Sequence, residues 1–342
     1  MVAPLSRLAF AGVVWYQGES NVGHESERNA TTHELLLASS PSSQALMKPR
    51  AAAVRPHACP TPGATCYSKL LASLFSSWQS SLRAPSLSDP PRASDENAEA
   101  AERTTNAPAV TRLPFFVAQL APYPSGRGAG ALPELRDVQL STHNPIENGV
   151  HVVPLLGCGD LESPHRPIHP RAKREVGARL AAAAAAALYD RPPRAAPAFA
   201  SASEEPPAAA ATVAADDGAS GTPQQQHPTR RVAVCFTVSS PLAGGISIDA
   251  SAVCPPRAAD GLCAGFEVLG GGTVSEQRWA PAEVEPRPIN ASCVALRVRS
   301  VPIGEAIWSV RYGWADWPLA VVIGGAGDAA LPAWPFSPKR LS

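Results

Sequence analysis

Net charge is the first thing this sequence lacks: 29 basic and 29 acidic residues cancel over 342 positions. Nothing marks a surface built for nucleic acid or for an anionic membrane. No apolar run reaches the ~18 residues that a spanning helix needs. The alanine run at 181–187 is too short and is flanked by Arg179 and Asp190. None of the seven cysteines forms a C-x-x-C pair, which argues against a zinc site. No signal peptide is visible in residues 1–11, where cleavage would remove an apolar strand read just downstream.

Proline is abundant instead, at 37 residues, and alanine tracts recur. Such tracts bury little apolar area against their chain entropy, so 39–64, 84–111 and 191–230 read as two disordered insertions and a disordered linker. Two N-glycosylation sequons, at Asn29 and Asn290, fit a secretory protein. Cys59 and Cys66 are close in sequence, and Cys254 and Cys263 flank a hairpin or loop.

Between the low-complexity stretches the hydrophobic pattern is regular. Residues 8–15, 115–120 and 150–156 are short apolar runs that read as buried strands. Residues 67–82 place Tyr67, Leu70, Leu71, Leu74, Phe75, Trp78 and Leu82 on one helical face. Pro133 is placed to open a short helix, and Pro170 a longer one reaching Tyr189. Strand and helix alternate as in a parallel α/β layer. From Arg231 onward short β-type runs separated by glycine and proline replace this pattern and read as an all-β sandwich, 231–342. Trp308, Trp314, Trp317 and Trp334 crowd that half. Core packing accounts for such a density more readily than an exposed pair stacking on sugar rings.

The chemistry concentrates in Trp15-Tyr16-Gln17-Gly18-Glu19-Ser20-Asn21, just past the first strand. Open α/β sheets bind ligands beyond the carboxyl ends of their strands, so this heptad reads as an active-site loop. It closely resembles a motif of the sialate O-acetylesterase family of SGNH hydrolases. Further words resemble that family in the same order: Pro114-Phe115-Phe116-Val117-Ala118-Gln119-Leu120-Ala121-Pro122-Tyr123, Leu135-Arg136-Asp137-Val138-Gln139, and the segment from Ile168-His169-Pro170 to Leu180. Val310-Arg311-Tyr312-Gly313-Trp314 and Leu331-Pro332-Ala333-Trp334-Pro335-Phe336 continue the series.

The resemblance implies a partial SGNH-hydrolase sheet of flavodoxin-like α/β type over 1–190, followed by the all-β domain. It implies serine acyl-enzyme chemistry on O-acetyl groups of sialic acid or another sugar, with no metal or organic cofactor, in the secretory pathway, a lysosome or outside the cell. It places the catalytic base at His169. As the residue before Pro170, His169 would cap a helix, whose positive end favours the neutral imidazole that a base requires. The family commonly carries an aspartate three residues earlier, where this chain has Arg166. Asp160 is the nearest carboxylate of the right type to orient the imidazole, with Glu162 the weaker alternative.

Gln17, Gly18 and Asn21 could supply donors to an oxyanion or hold the acyl group. Glu19 reads as either part of that site or a structural acid. Arg136 and Gln139 lie one turn apart on a helix and are expected to support the loop. The family's nucleophile sits in a Gly-Gln-Ser-Asn motif upstream of the heptad, and no such segment occurs in these residues. Gly18-Glu19-Ser20 superficially matches a nucleophile elbow, but Val22 stands where G-x-S-x-G needs its second glycine. A catalytically inactive, carbohydrate-contacting module is therefore the competing reading.

Overall fold

The computed structural model describes residues 5, 8, 10–23, 64–82, 112–127, 130–205, 230–237, 245–256, 262–325, 327 and 330–342. The insertion read at 84–111 lies outside them, as does that at 39–64 apart from Ala64. The chain divides into two compact units, Met1–Pro193 and Arg194–Ser342.

The first unit holds strands β1 (Val13–Trp15), β2 (Phe115–Ala118) and β3 (Val150–Val153) in a parallel sheet of order β1-β2-β3. Residues of β2 are buried at every position, as expected of the central strand of a sheet covered on both faces. Helix α1 (Ala64–Ser81) covers one face, where Phe75 stacks on Phe115 at 4.4 Å and Trp78 meets Trp15 edge-on at 5.7 Å. Helix α3 (Lys173–Tyr189) covers the other, packing Val176 and Leu180 against Phe116, Ala118 and Val153. Helix α2 (Ala131–Ser141) starts two residues before Pro133. Among the described residues β1 pairs only with β2, and Val14 is 60% exposed.

The second unit contains β4 (Ala198–Glu205), β5 (Arg230–Thr237), β6 (Ile246–Ile248), β7 (Cys263–Ala264), β8 (Phe266–Gly271), β9 (Arg278–Val284), β10 (Cys293–Val298), β11 (Ala306–Tyr312), β12 (Trp317–Pro318), β13 (Val322–Gly324), β14 (Leu331–Pro332) and β15 (Phe336–Arg340). Seven of these form an antiparallel sheet of order β15-β11-β8-β9-β10-β5-β4. Its two ends approach each other: Phe336 of β15 meets Phe199 of β4 at 4.7 Å, and the Ser342 amide donates to the Ala202 carbonyl at 2.9 Å. The sandwich expected here is thus one sheet curled nearly into a barrel, with the small sheet β14-β13-β6 sharing its core. Strand spacing is the same in both arrangements, and sheet curvature decides between them.

The linker reading of 191–230 also needs correction, because β4 lies inside it. Apart from Phe199, which packs on the core, this strand carries small and polar residues and fully buries only Ala202, so its hydrophobic signature is weak. Backbone pairing with β5 and the Phe199 contact to Phe336 hold it.

Disulfides join Cys235 to Cys293 across the β5–β10 pair and Cys254 to Cys263. Tyr312 is fully buried, stacked on Phe266 at 4.5 Å, and donates to the Leu319 carbonyl at 2.9 Å. Burial raises its pKa strongly. Trp308 is exposed, while Trp314, Trp317 and Trp334 are half-buried. No helix among the described residues is long and apolar enough to cross a membrane.

Candidate active site at the carboxyl edge of the parallel sheet

The loops leaving β1, β2 and β3 carry the residues singled out in the sequence. After β1 the chain turns at Gly18 into a short 3-10 turn, Glu19–Asn21. Gly18 has φ of 142°, a conformation that side-chain-bearing residues rarely adopt. A Cβ there would also stand 3.1 Å from the Tyr67 hydroxyl and 3.2 Å from Gln139 Nε2. Those two groups are the clamps of the loop. Tyr67 Oη donates to the Gln17 carbonyl at 3.1 Å, and Gln139 Nε2 donates to it at 3.2 Å.

Gln139 is fully buried and also accepts the Leu120 amide at 2.9 Å, so it ties the β1 loop to the β2 loop. Arg136, one turn earlier, does a different job from Gln139. Its guanidinium donates to the carbonyls of Leu120 (2.9 Å) and Ala121 (3.1 Å), fixing the path after β2. Tyr123 at the end of that path donates to the Glu19 carbonyl at 3.1 Å.

Within the loop, Gln17 Nε2 donates to Asn21 Oδ1 at 2.6 Å. This leaves the Asn21 amide nitrogen as a donor with no partner among the described residues, available to a ligand oxygen. The Ser20 side chain is exposed and its hydroxyl likewise has no hydrogen-bond partner among the described residues. A serine nucleophile needs a base in hydrogen-bond reach, and Ser20 has none there.

Tyr16 points into the core under α3, with Lys173 Nζ 4.7 Å from its ring centre. Burial pushes its pKa up to about 12, with the Glu19 carboxylate adding to the effect.

His169 lies on the connection between β3 and α3, and its side chain is exposed. It is not the helix cap: α3 begins at Lys173 with Ala172 as N-cap. Pro170 is followed by a turn rather than a helix, so the helix-end argument for His169 falls. A series of turns fixes the histidine instead. The His169 amide donates to the Arg166 carbonyl at 2.9 Å, and Arg166 adopts φ of 71°. Ser163, nearly buried, donates from its hydroxyl to the His169 carbonyl at 2.6 Å. His169 Nδ1 is 2.8 Å from the His165 carbonyl. A carbonyl only accepts, so this bond requires a proton on Nδ1, and in the neutral ring it makes Nε2 the acceptor nitrogen.

Asp160 is committed elsewhere. Its carboxylate takes the Arg171 guanidinium as a fork at 2.6 and 2.9 Å and the Arg171 amide at 3.1 Å. These side-chain hydrogen bonds come first in lowering its pKa to about 2. The Glu162 amide also donates to Asp160, while the Glu162 side chain is exposed. The structure therefore brings Gln17, Gly18, Glu19, Asn21 and Gln139 together and places Asp160 on Arg171. Tyr67 and Ser163 were not distinguishable in the sequence from ordinary core and surface positions, and Tyr123 and Arg171 lay within stretches that resemble the family without a role of their own. Among the described residues no group of three His, Cys, Asp or Glu side chains could hold a metal ion.

No family model matches the sequence, and no curated protein matches it. Among solved structures, a carbohydrate acetylesterase from Xanthomonas citri is similar in fold, with a TM-score of 0.55 and 22% identity. The match covers 98% of this chain and 52% of that one, so the chain spans about half the length of this solved relative. The likeness extends to the fold.

Proposed function

We propose that this chain supplies the histidine and acyl-binding side of a serine-dependent carbohydrate O-acetylesterase. The observation that carries the reading is the His165–His169 contact, which holds the Nδ1 proton and so assigns the acceptor role of the neutral ring to Nε2. In this reaction Nε2 accepts the proton of a serine hydroxyl as its oxygen bonds to the acetyl carbonyl carbon. The same imidazole returns the proton to the departing sugar oxygen. Water, activated in turn, releases acetate from the acyl-enzyme. Asn21 Nδ2 is a donor for the carbonyl oxygen as it gains charge. The resemblance to sialate O-acetylesterases places the serine upstream of the heptad, and the shared fold with a carbohydrate acetylesterase supports a sugar substrate. O-acetylated sialic acid is the specific substrate we favour. The Cys235–Cys293 and Cys254–Cys263 disulfides and the sequon at Asn290 support a secretory location.

One observation favours a second, non-catalytic reading: the loop's own serine, Ser20, has no base at hand among the described residues. Acetate release from O-acetylated sialic acid and from an acetylated neutral sugar separates the two. The 342-residue chain should turn over little of either. Joined to an upstream segment bearing the Gly-Gln-Ser-Asn motif, it should become active, and His169→Ala should then reduce the rate by about 10²–10⁴-fold. Robust turnover by the chain itself, lost in Ser20→Ala, would overturn this assignment of the nucleophile. Inactivity of the extended form would favour the non-catalytic reading.

A further inference from the structure

A second concave site lies away from the β1 loop. It is a groove of about 680 Å³ between α1, the end of α2 and the amino ends of β2 and β3. That volume is in the range of small-molecule sites. Its floor is apolar, formed by Phe75, Ala72 and Val150. Its walls carry hydroxyls at Ser68, Ser76, Ser80, Ser141 and Thr142, one cation, Arg112, and no carboxylate.

Hydrogen bonding within the walls fixes which of these groups donate and which accept. Ser80, Ser141 and Thr142 each give their proton to a helix carbonyl three residues earlier, at 2.8, 2.7 and 2.7 Å. Their oxygens are left as acceptors. The hydroxyls of Ser68 and Ser76 have no partner among the described residues and can act either way. Arg112 spends one nitrogen on the Glu147 carbonyl and keeps the rest of its donor fork. Gln79 is fully used as a strut, donating to the carbonyls of Leu113 and Asn148 and accepting the Leu113 amide. Ser80, Ser141, Thr142 and Gln79 are therefore oriented by bonds within the wall before any ligand arrives.

We infer that this groove binds a hydroxylated carboxylate of the sugar-acid class. The ligand's hydroxyls would donate to the three oriented oxygens, its carboxylate would take the Arg112 fork, and its C–H face would lie on the apolar floor. A neutral sugar would leave the guanidinium without a counter-charge. A simple carboxylate would leave the hydroxyl wall unused. This inference is independent of the esterase reading, because none of the lining residues belongs to the β1 loop or to the His169 turn.

Calorimetric titration of the 342-residue chain with D-glucuronate tests it. Saturable binding is expected, with D-glucose binding at least tenfold more weakly and acetate failing to compete. Arg112→Gln should weaken glucuronate binding by about ten- to a hundredfold, the usual scale for a hydrogen bond to a charged group. Ala72 is exposed on α1, so Ala72→Trp should fill the groove and abolish binding with the circular dichroism spectrum unchanged. Equal affinity for glucose and glucuronate would overturn the carboxylate assignment. Absence of saturable binding, or glucuronate binding that survives Ala72→Trp, would overturn the site.

Discussion

Gln139 and Gln17 are 122 positions apart, yet the Gln139 amide nitrogen lies 3.2 Å from the Gln17 carbonyl oxygen. Because Gln139 also receives the Leu120 amide, one buried side chain sets the spacing between the first two strand-end loops. Gln139→Ala would leave the buried Leu120 amide unsatisfied, a loss of about 1–3 kcal/mol. Gln139→Glu keeps an acceptor for Leu120 but loses the donor to Gln17. Urea unfolding of the chain should rank wild type above both variants. Wild-type stability in Gln139→Ala would show that the bridge does not hold the loops.

How much of this was legible in the sequence depends on where the information lies. Strands β2 and β3 follow from their continuous apolar runs and helix α1 from its apolar period, because each buries its own side chains. Strand β4 was invisible, since backbone pairing to β5 holds most of it and, Phe199 apart, its side chains are small or polar. The cap expected at His169 failed because Pro170 suits a turn as well as a helix start, and only the following residues decide. At the site, the polar loop after β1 could be picked out, whereas the partner of Asp160 could not. Asp160 and Arg171 are eleven positions apart, and nothing short of the fold brings their forks together.

That ion pair makes its own prediction. Arg171 holds the Asp160 carboxyl at about 2, below the ordinary carboxylate value of 3.8. A depressed acid stabilises the fold above its unfolded pKa, and the contribution disappears as pH falls through the window from 3.8 to about 2. Carbon-detected NMR titration should find Asp160 in that window. Arg171→Gln should return it towards 3.8, and an unchanged midpoint would mean another group lowers it.

Two partly desolvated histidines, the solvent-exposed His143 and the half-buried His151, act at higher pH. His143 Nδ1 accepts the Val152 amide at 2.9 Å, and His151 stacks on Phe116 at 5.2 Å. Partial desolvation of the rings lowers both pKa values, and His143 lowers that of His151 further. The unfolded chain therefore binds protons first, at around 6.5. Stability should be full above that pH and fall as the pH drops below it, until the folded imidazoles also charge. Urea midpoints at three pH values spanning the transition would show the slope, and His143→Gln should flatten it. A slope unchanged in that variant would assign it to other groups.

The edge of the parallel sheet predicts association. Among the described residues β1 has a partner on one side only, and Val14 is 60% exposed. Unpaired edges with apolar side chains recruit other strands. Light scattering should show concentration-dependent association that Val14→Lys suppresses, with a change in unfolding free energy within about 0.5 kcal/mol, as for a surface substitution. Identical scattering from the two proteins would exclude this edge as the contact.

The last prediction concerns what orients His169. If the His165 carbonyl holds Nδ1–H, the tautomer depends on the turn that brings residues 165 and 169 together, and Ser163 closes that turn from a nearly buried position. Ser163→Ala removes the bond to the His169 carbonyl without touching the ring. It should shift the imidazole nitrogen signals of His169 away from the Nδ1-protonated pattern. Asp160→Asn should leave those signals in place, because Asp160 faces Arg171. In an active, serine-bearing form the same ordering should appear in the rate, with Ser163→Ala costing more than Asp160→Asn. The reverse result, a tautomer change in Asp160→Asn alone, would make Asp160 the orienting acid and the carbonyl contact incidental.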